Sequence, residues 1–326
     1  MTGSKSDAKG GSTKGRQDLS DEFQRAVIEG LAKTPKTLPT RFLYDARGSD
    51  LFEDITQLDE YYPTRTEISI LENCAGEWAQ GLHDGTVLVE FGSGSSIKTE
   101  VLLNSTNRIA AYAPVDVSRS ALAQASERLR RRFPGLRVIP IEADFSNARL
   151  PEELSRMPLA GFFPGSTIGN FEPPAAIGLL KTFARLLGAA GELLIGADLR
   201  KERQILEQAY DDSDGVTAEF NLNLLRRMQR ELGATVDPGG FEHLALYNDE
   251  KGRIEMHLVS LKPQKIVVGG VTFDVELGER IHTENSHKFT VAGFQELAQQ
   301  AGWMPKRVWT DPENLFSVHA LQVAEA

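Results

Sequence analysis

Residues 86–98 read TVLVEFGSGSSIK, the segment that most clearly indicates the class of fold. The apolar run Thr86–Phe91 has the length and composition of a buried β-strand. It leads directly into Gly92, Ser93 and Gly94, a turn at which backbone N–H groups can approach a ligand closely just before the next helix begins. A strand, a glycine-rich turn and a helix in this order are typical of the first unit of a ligand-binding α/β sheet.

Downstream of this turn, short apolar runs alternate with helical patterns. The further runs cover residues 110–117, 137–143, 159–163 and 192–197, and helical patterns such as 118–133 and 174–187 lie between them. Such alternation implies parallel strands joined by right-handed crossovers. The sequence therefore predicts an α/β fold with a Rossmann-like, doubly wound sheet.

The alternation stops near Asp198, and a different pattern follows. Helical patterns over 201–210 and 215–232 precede β-like runs over 254–261 and 266–275, the second broken by Gly269-Gly270, which is a hairpin signal. We therefore predict two lobes. Residues 17–65 and 201–287 form a second, smaller α+β lobe, and residues 66–200 and 288–326 form the sheet domain.

The N-terminal region begins with MTGSKSDAKGGSTKGR, residues 1–16, which contains no apolar segment. This composition predicts a disordered tail and not a signal peptide. An amphipathic helix is predicted over 18–33. Thr66 is predicted to cap a further helix that ends near Leu82.

Composition and charge exclude several classes of protein. Lys and Arg number 36 against 46 Asp and Glu, so the net charge of −10 opposes binding to nucleic acid. The single cysteine, Cys74, cannot form an intrachain disulfide, and we expect it to be buried. No apolar run is long enough to span a bilayer. We expect a cytoplasmic monomer with no nucleic-acid or membrane partner.

The first strand end carries a candidate cofactor site. A dinucleotide-binding fingerprint would have a third glycine at position 97, where this sequence has Ile97. The form E-x-G-x-G, built on Gly92 and Gly94, instead resembles motif I of S-adenosylmethionine methyltransferases. Lys98 pairs with a ligand, pairs with Glu90, or is an exposed helix lysine; the sequence leaves these alternatives open.

The next two strand ends add three further cofactor candidates. Asp116 ends the second run, where a carboxylate can accept both ribose hydroxyls. Asp144 and Phe145 end the third, where a carboxylate could take the adenine amino group and a ring could stack on the base. Alternatively, Gly and Asp simply populate βα turns.

The fourth strand end, residues 165–171, reads GSTIGNF. Its two glycines suit close approach to a polar ligand. The Asn170 side chain has donors and an acceptor, so it could bind both an amine and a carboxylate. No zinc-type spacing joins the six histidines, and no metal is expected.

Six stretches carry a resemblance to one family. They are RFLYDARGSDLFEDIT, EYYPTRTE, GSTIGN, AYDDSDGVTAEFN, RIEMHL and TENSHKF. In this order and spacing they resemble the histidine-specific N-methyltransferase of ergothioneine biosynthesis, from about Lys36 to the C-terminus. The resemblance implies S-adenosylmethionine-dependent trimethylation of the α-amino group of L-histidine, which gives hercynine. It also implies that the sheet domain binds S-adenosylmethionine and that the smaller lobe binds the substrate.

The resemblance assigns roles to matching positions. Tyr44 matches a tyrosine that covers the cofactor, and Tyr61 matches one that faces the substrate. Asn170 and Tyr210 match the pair that holds the backbone groups of the amino acid. We therefore expect Tyr61 and Asn170 at the reacting centre.

Five more positions match the pocket for the side chain. Thr217 and Phe220 match pocket walls, and Met256 matches a residue beside the imidazole. Glu284 and Ser286 match the pair that reads the imidazole. Two residues apart on an extended segment, they share a face. The carboxylate can accept an imidazole N–H, and the hydroxyl can act as donor or acceptor.

Several alternatives remain open from the residues themselves. Glu284 could be a surface carboxylate, and Phe220 and Met256 could be core residues. Either the amine binds deprotonated or a nearby group or water takes its proton; Tyr61 and water are candidates, whereas the Asn170 amide is not basic enough. The rival functions are a methyltransferase for another amino acid such as tryptophan, a nicotinamide dehydrogenase, which Ile97 disfavours, and a non-catalytic binding protein.

Overall fold

The fold is described from a computed structural model, which describes residues 10–94, 97–154 and 156–324. The chain divides into two compact units. The first comprises Met1–Tyr61, Gln204–Asn248 and Ile254–Asn285, and the second Tyr62–Arg203, Asp249–Arg253 and Ser286–Ala326. These bounds differ from the predicted lobes by a few residues, and the second unit also includes Asp249–Arg253.

The α-helices of the described residues are numbered in chain order. They are α1 Gly10–Leu31, α2 Ala46–Ile55, α3 Tyr62–Ala79, α4 Ile97–Ser105, α5 Arg119–Arg132, α6 Pro173–Leu187, α7 Arg203–Gln208, α8 Val216–Leu232 and α9 Val291–Gln300. Within these residues, no helix combines the length and hydropathy that crossing a membrane requires.

The β-strands of the described residues are numbered in the same way. They are β1 Lys36–Thr37, β2 Thr86–Phe91, β3 Ile109–Asp116, β4 Arg137–Val138, β5 Ile141–Glu142, β6 Leu159–Phe163, β7 Glu192–Asp198, β8 Phe241–Asn248, β9 Arg253–Ser260, β10 Gln264–Val268, β11 Val271–Val275, β12 Arg280–His287, β13 Trp303–Thr310 and β14 Phe316–Val323.

The second unit is built on one large sheet with the order β13-β14-β7-β6-β2-β3-β4, and β5 also pairs with β3. The strands from β7 to β4 and β5 run parallel, whereas β14 and β13 are antiparallel additions at one edge. Because parallel strands end at the same edge, the residues that follow β2, β3, β5, β6 and β7 gather there. This topology confirms the predicted doubly wound α/β fold.

Both faces of this sheet are covered. Along the fully buried β2, Val87 and Val89 point into a core with α6 and α9, while Leu88 points into the opposite core with α3 and α4. A strand buried on both faces cannot show polar–apolar alternation. That is why a short apolar run was the right signal for β2. Cys74 lies buried in the second of these cores, as expected.

The first unit contains two smaller sheets. Its main sheet has the order β1-β12-β9-β8, and β10 and β11 form a hairpin across Gly269-Gly270, as predicted. Helix α8 packs against α2 and β8. The mixture of helices and mainly local β pairing agrees with the predicted α+β character.

Three predicted elements are corrected by the structure. Residues 10–16, predicted as disordered, form the first turns of α1, because extending a nucleated helix adds one hydrogen bond per residue; residues 1–9 lie outside the described residues. Thr66 does not cap α3, which begins at Tyr62 with Pro63 tolerated in its first turn. The run 137–143 is two short strands, interrupted around Pro140, which has no N–H to donate.

Candidate active site

The glycine turn after β2 has the backbone conformation of a ligand-binding turn. Gly92 and Gly94 both have positive φ, of 73° and 44°. The Asp116 carboxylate at the end of β3 accepts hydrogen bonds from the N–H of Gly94 at 3.2 Å and of Ser118 at 2.8 Å. These bonds fix a half-buried carboxylate beside the turn, which is the acceptor that two ribose hydroxyls require.

Phe145 lies directly over the glycine turn. A Cβ built on Gly92 would come within 3.4 Å of the Phe145 ring, so the glycine leaves room for close packing here. Asp144 is exposed and accepts a hydrogen bond from the N–H of Ser146 at 2.8 Å. The positive-φ turn, the two carboxylates and the aromatic ring fit S-adenosylmethionine, whose ribose, adenine and sulfonium groups need those partners.

Two buried carboxylates of the second unit, Glu90 and Glu67, have different partners. Glu90 accepts hydrogen bonds from the Thr99 hydroxyl at 2.6 Å and from Tyr112, and burial raises its pKa to about 7. Lys98 does not pair directly with Glu90. Its Nζ lies 2.5 Å from the carboxylate of Glu67, which is fully buried. Of the interpretations that the sequence left open, the structure favours an ion pair, with a partner that was not considered; cofactor binding by Lys98 stays a prediction.

The turn after β6, which carries Asn170, is held by its neighbours in the second unit. The Glu67 carboxylate accepts the Gly165 N–H at 3.1 and 2.8 Å. Ser166, in the left-handed region with φ 55°, accepts the backbone N–H of Asp198 on its hydroxyl at 2.9 Å. Residues Thr167–Asn170 then form a short 3₁₀ helix. The position of Asn170 is thus fixed by contacts that reach back to α3 and β7.

The first unit contains a connected cluster of aromatic rings. Tyr44 lies 5.6 Å from Phe52 and 5.4 Å from Phe220 between ring centroids. Phe52 also lies 6.1 Å from Tyr61, which lies 6.0 Å from Tyr210. Four predicted site residues therefore share this cluster with Phe52, which the sequence analysis did not assign. Aromatic faces of this kind can stabilise a cationic ammonium.

The start of α8 positions two further predicted residues. The Asp212 carboxylate accepts the N–H groups of Val216 and Thr217, both at 2.8 Å. Burial opposes ionisation of Asp212, but these hydrogen bonds outweigh it and lower the pKa of the carboxyl group. Thr217 and Phe220 lie close to the start of this helix and are both buried.

Tyr210 is held through its backbone by His243. The Nε2–H of His243 donates to the carbonyl oxygen of Tyr210 at 2.8 Å. On the opposite side of the ring, Nδ1 lies 2.9 Å from the Asn221 amide nitrogen, which also donates to the carbonyl of His257 at 3.0 Å. Burial lowers the pKa of His243, which favours the neutral ring, and the tautomer with hydrogen on Nε2 satisfies both contacts.

Strand β12 carries the predicted imidazole-reading pair. Glu284 and Ser286 are only 6% and 3% exposed, so Glu284 is not the surface carboxylate that composition alone suggested. Met256 on β9 is also buried, and its carbonyl accepts a hydrogen bond from the Thr283 hydroxyl at 3.1 Å. This bond ties the Met256 segment to β12.

The predicted site residues fall into the two units as follows. The second unit holds Gly92, Gly94, Lys98, Asp116, Asp144, Phe145, Asn170 and Ser286, and the first holds Tyr44, Tyr61, Tyr210, Thr217, Phe220, Met256 and Glu284. Sequence reasoning missed Phe52, Glu67, Asp212 and His243. Phe52, Glu67 and Asp212 lie inside stretches that carry the family resemblance, which was the available signal; nothing local marked His243.

A doubly wound sheet whose first turn is Gly-x-Gly, followed by Asp and Asp-Phe at the next strand ends, defines the class of S-adenosylmethionine-dependent methyltransferases. Residues 23–323 match the model of a family described as histidine-specific, S-adenosylmethionine-dependent methyltransferases. The chain belongs to this family. The resemblance that the sequence motifs indicated is therefore confirmed, as is S-adenosylmethionine as the cofactor.

Named relatives agree with this membership. The histidine N-alpha-methyltransferase of Mycolicibacterium smegmatis is 38% identical, over 91% of this chain and 94% of the relative. That of Mycobacterium tuberculosis is also 38% identical, over 91% and 93%. The Ergothioneine biosynthesis protein 1 of Neurospora crassa is 32% identical, over 88% of this chain but only 33% of the fungal protein.

Proposed function

We propose that this protein transfers methyl groups from S-adenosylmethionine to the α-amino group of L-histidine, and that three transfers give hercynine. The observation that carries the choice of histidine is the burial of both Glu284 and Ser286 on β12. A buried carboxylate and hydroxyl offer hydrogen bonds that an imidazole ring can take and an apolar side chain cannot. Sites that hydrogen-bond their substrate in this way discriminate by up to about 10⁴–10⁵.

The glycine turn and the strand ends that follow it would bind the cofactor. Gly92, Gly94, Asp116, Asp144 and Phe145 would hold S-adenosylmethionine, which supplies an electrophilic methyl group when bound. Tyr44 and Lys98 complete the proposed cofactor set.

The amino acid would be held by a second set of residues. Asn170 and Tyr210 would bind its amine and carboxylate, with Thr217, Phe220 and Met256 as walls of the pocket. Positioning the amine and excluding water account for most of what this chain must do, since the reactivity comes with the cofactor.

The amine must lose a proton before each transfer, because only its neutral form has a lone pair. Either the amine binds already deprotonated or a nearby group takes the proton; Asn170 is an amide and cannot do so, whereas Tyr61 and water are candidates. As methyl groups accumulate, the nitrogen becomes a permanent cation. The rings around Tyr61, including Phe52 at 6.1 Å, provide faces that would stabilise it by cation–π contact.

The proposal also covers the pathway, the cellular compartment and the oligomeric state. Hercynine would enter ergothioneine biosynthesis, the pathway named for the N. crassa relative. The protein would work as a cytoplasmic monomer without a metal. Size-exclusion chromatography and an assay in the presence of a chelator check the oligomeric state and the metal.

The direct test is mass spectrometry of the purified protein incubated with S-adenosylmethionine and each of the twenty amino acids in turn. We expect histidine alone to gain three methyl groups. Methylation of tryptophan or another amino acid in place of histidine would leave the class of enzyme intact and refute the assignment of Glu284 and Ser286.

A single variant tests whether Glu284 binds the imidazole ring of the substrate. Glu284→Ala is expected to raise the KM for histidine at least about tenfold, because a hydrogen bond to a charged group is lost. The Kd for S-adenosylmethionine should not change. If histidine affinity and turnover match the wild type, Glu284 does not select histidine.

A further inference from the structure

A buried charged cluster lies at the end of β7 in the second unit. The Asp198 carboxylate is fully buried and has the Nζ atoms of Lys201 and Lys288 at 2.6 Å each. The Tyr62 hydroxyl donates to it at 2.8 and 2.9 Å. Burial opposes ionisation of Asp198, but the two lysines prevail and lower the pKa of its carboxyl group. One carboxylate thus holds two amino groups away from water.

One of these lysines also contacts a predicted substrate-binding residue. The Nζ of Lys288 donates to the Ser286 hydroxyl oxygen at 2.9 Å. An ammonium group has donors and no acceptor, so at this contact the serine oxygen must accept. The hydroxyl hydrogen of Ser286 is therefore directed away from Lys288. A cation on the oxygen side also strengthens the O–H group as a donor.

We propose that Lys288, fixed by Asp198, is a positioning residue that makes Ser286 a hydrogen-bond donor to the substrate ring. This inference rests on the proposed function, in which Ser286 reads the imidazole, and it decides the donor-or-acceptor question that the sequence left open. In a neutral imidazole one nitrogen accepts and the other donates. Ser286 takes the nitrogen with the lone pair, and the ring N–H is left for Glu284. An imidazolium ring, which has no such lone pair, is rejected.

The structure offers a variant and a matched control. Lys288→Met removes the ammonium group with little change in length, and Asp198 keeps Lys201 and Tyr62 as partners, so no buried charge is left uncompensated. Lys201→Met removes the other ammonium group from the same carboxylate. Lys201 donates to the Tyr62 hydroxyl and to the carbonyl of Leu199, and within the described residues its ammonium group has no hydrogen bond to Ser286.

The experiment measures KM and kcat for histidine, and the Kd for S-adenosylmethionine by calorimetry, in the wild type and four variants. These are Lys288→Met, Lys201→Met, Ser286→Ala and the Lys288→Met/Ser286→Ala double variant. We expect Lys288→Met to raise the KM for histidine about tenfold to a hundredfold, because a charge-assisted hydrogen bond is lost. Lys201→Met should stay within about twofold of the wild type. The KM of the double variant should equal that of Ser286→Ala, because Lys288 acts through Ser286 and the effects of two residues in one hydrogen-bond network are not additive.

A second variant keeps the test decisive if Lys288→Met does not fold, which loss of cofactor binding would reveal. Lys288→Gln retains a neutral donor and is expected to raise the KM, but less than Met. Three outcomes would overturn the role of Lys288 and leave the proposed function intact. They are a wild-type KM in both Lys288 variants, an equal rise of the KM in Lys201→Met, and additive effects in the double variant. A wild-type protein that binds S-adenosylmethionine but does not methylate histidine would overturn the proposed function and this inference with it.

Discussion

The short 3₁₀ helix that carries Asn170 packs against His287, the last residue of β12. The two backbones lie so close together that no side chain fits at Gly169. A Cβ built on Gly169 would lie 2.7 Å from the carbonyl oxygen of His287 and 3.2 Å from its backbone nitrogen. Gly169 is not among the residues with positive φ, so alanine suits its backbone conformation. Gly169→Ala therefore tests the close approach of two backbone segments and not a conformational preference.

The size of the effect follows from the distances. Ordinary contact begins at 3.4 Å, so one of the two segments must move by about 0.7 Å. Overpacking of this kind costs about 1–3 kcal/mol of unfolding free energy. A displacement near 1 Å at a reacting centre can cost about a hundredfold in rate. We expect kcat/KM for histidine to fall about tenfold to a hundredfold, because Asn170 follows Gly169 and Ser286 precedes His287.

The assay combines urea unfolding with steady-state kinetics, and Gly178→Ala provides the control. Gly178 lies in α6 of the same unit with nothing within 4 Å of a built Cβ, and alanine there should stabilise the helix by about 0.5–1 kcal/mol. The Kd for S-adenosylmethionine should be unchanged in both variants. If Gly169→Ala matches Gly178→Ala in stability and activity, the close packing has no influence on the site.

Three further predictions address the cofactor side of the sheet. Asp116→Ala, which removes the carboxylate beside Gly94, should raise the Kd for S-adenosylmethionine at least about tenfold by calorimetry, and an unchanged Kd would exclude it as a ligand. Burial raises the pKa of Glu90 to about 7, so the stability from its protonated form is complete below pH 4.5 and is lost as the pH rises through 7. Between pH 5 and pH 8 this loss amounts to about 2.5 kcal/mol, and Glu90→Gln should remove it in urea unfolding; parallel pH profiles of the variant and the wild type would contradict the assignment. Gly196→Ala, whose built Cβ overlaps the Glu67 carboxylate, should lower the free energy of unfolding by about 1–3 kcal/mol, and a stability equal to that of Gly178→Ala would show that Glu67 can move freely.

The elements that were predicted well are those whose signal is local. The strands β2, β6 and β7 are short apolar runs between helical patterns, and the turn at Gly92 follows from its glycines. Strand β13 was not predicted, because most of its residues are at least partly exposed and its pairing with β14 gives no apolar run. Strand β12 was expected only as an extended segment, since its burial pattern does not alternate.

The residues of the candidate site also differ in how far their own segment of sequence predicts their role. Gly92, Asp116 and Phe145 are recognisable because each lies at or just after the end of a strand, β2, β3 and β5 respectively. Glu67 lies in the stretch EYYPTRTE, but its contact could not be predicted from that segment, since the N–H that it accepts belongs to Gly165, 98 residues away. His243 is likewise separated from the Tyr210 carbonyl by 33 residues.

By itself, then, the sequence determined the α/β class, the order of the cofactor-binding strand ends and the family, because hydrophobic periodicity, turn chemistry and motif spacing are properties of short segments. Only the tertiary structure decided that Lys98 pairs with Glu67, that Asp198 holds Lys288 against Ser286, and that Gly169 must be small. Each of these depends on the distance between atoms far apart in the chain. Burial then gives those contacts their strength, because it removes the water that would otherwise compete for the same charges.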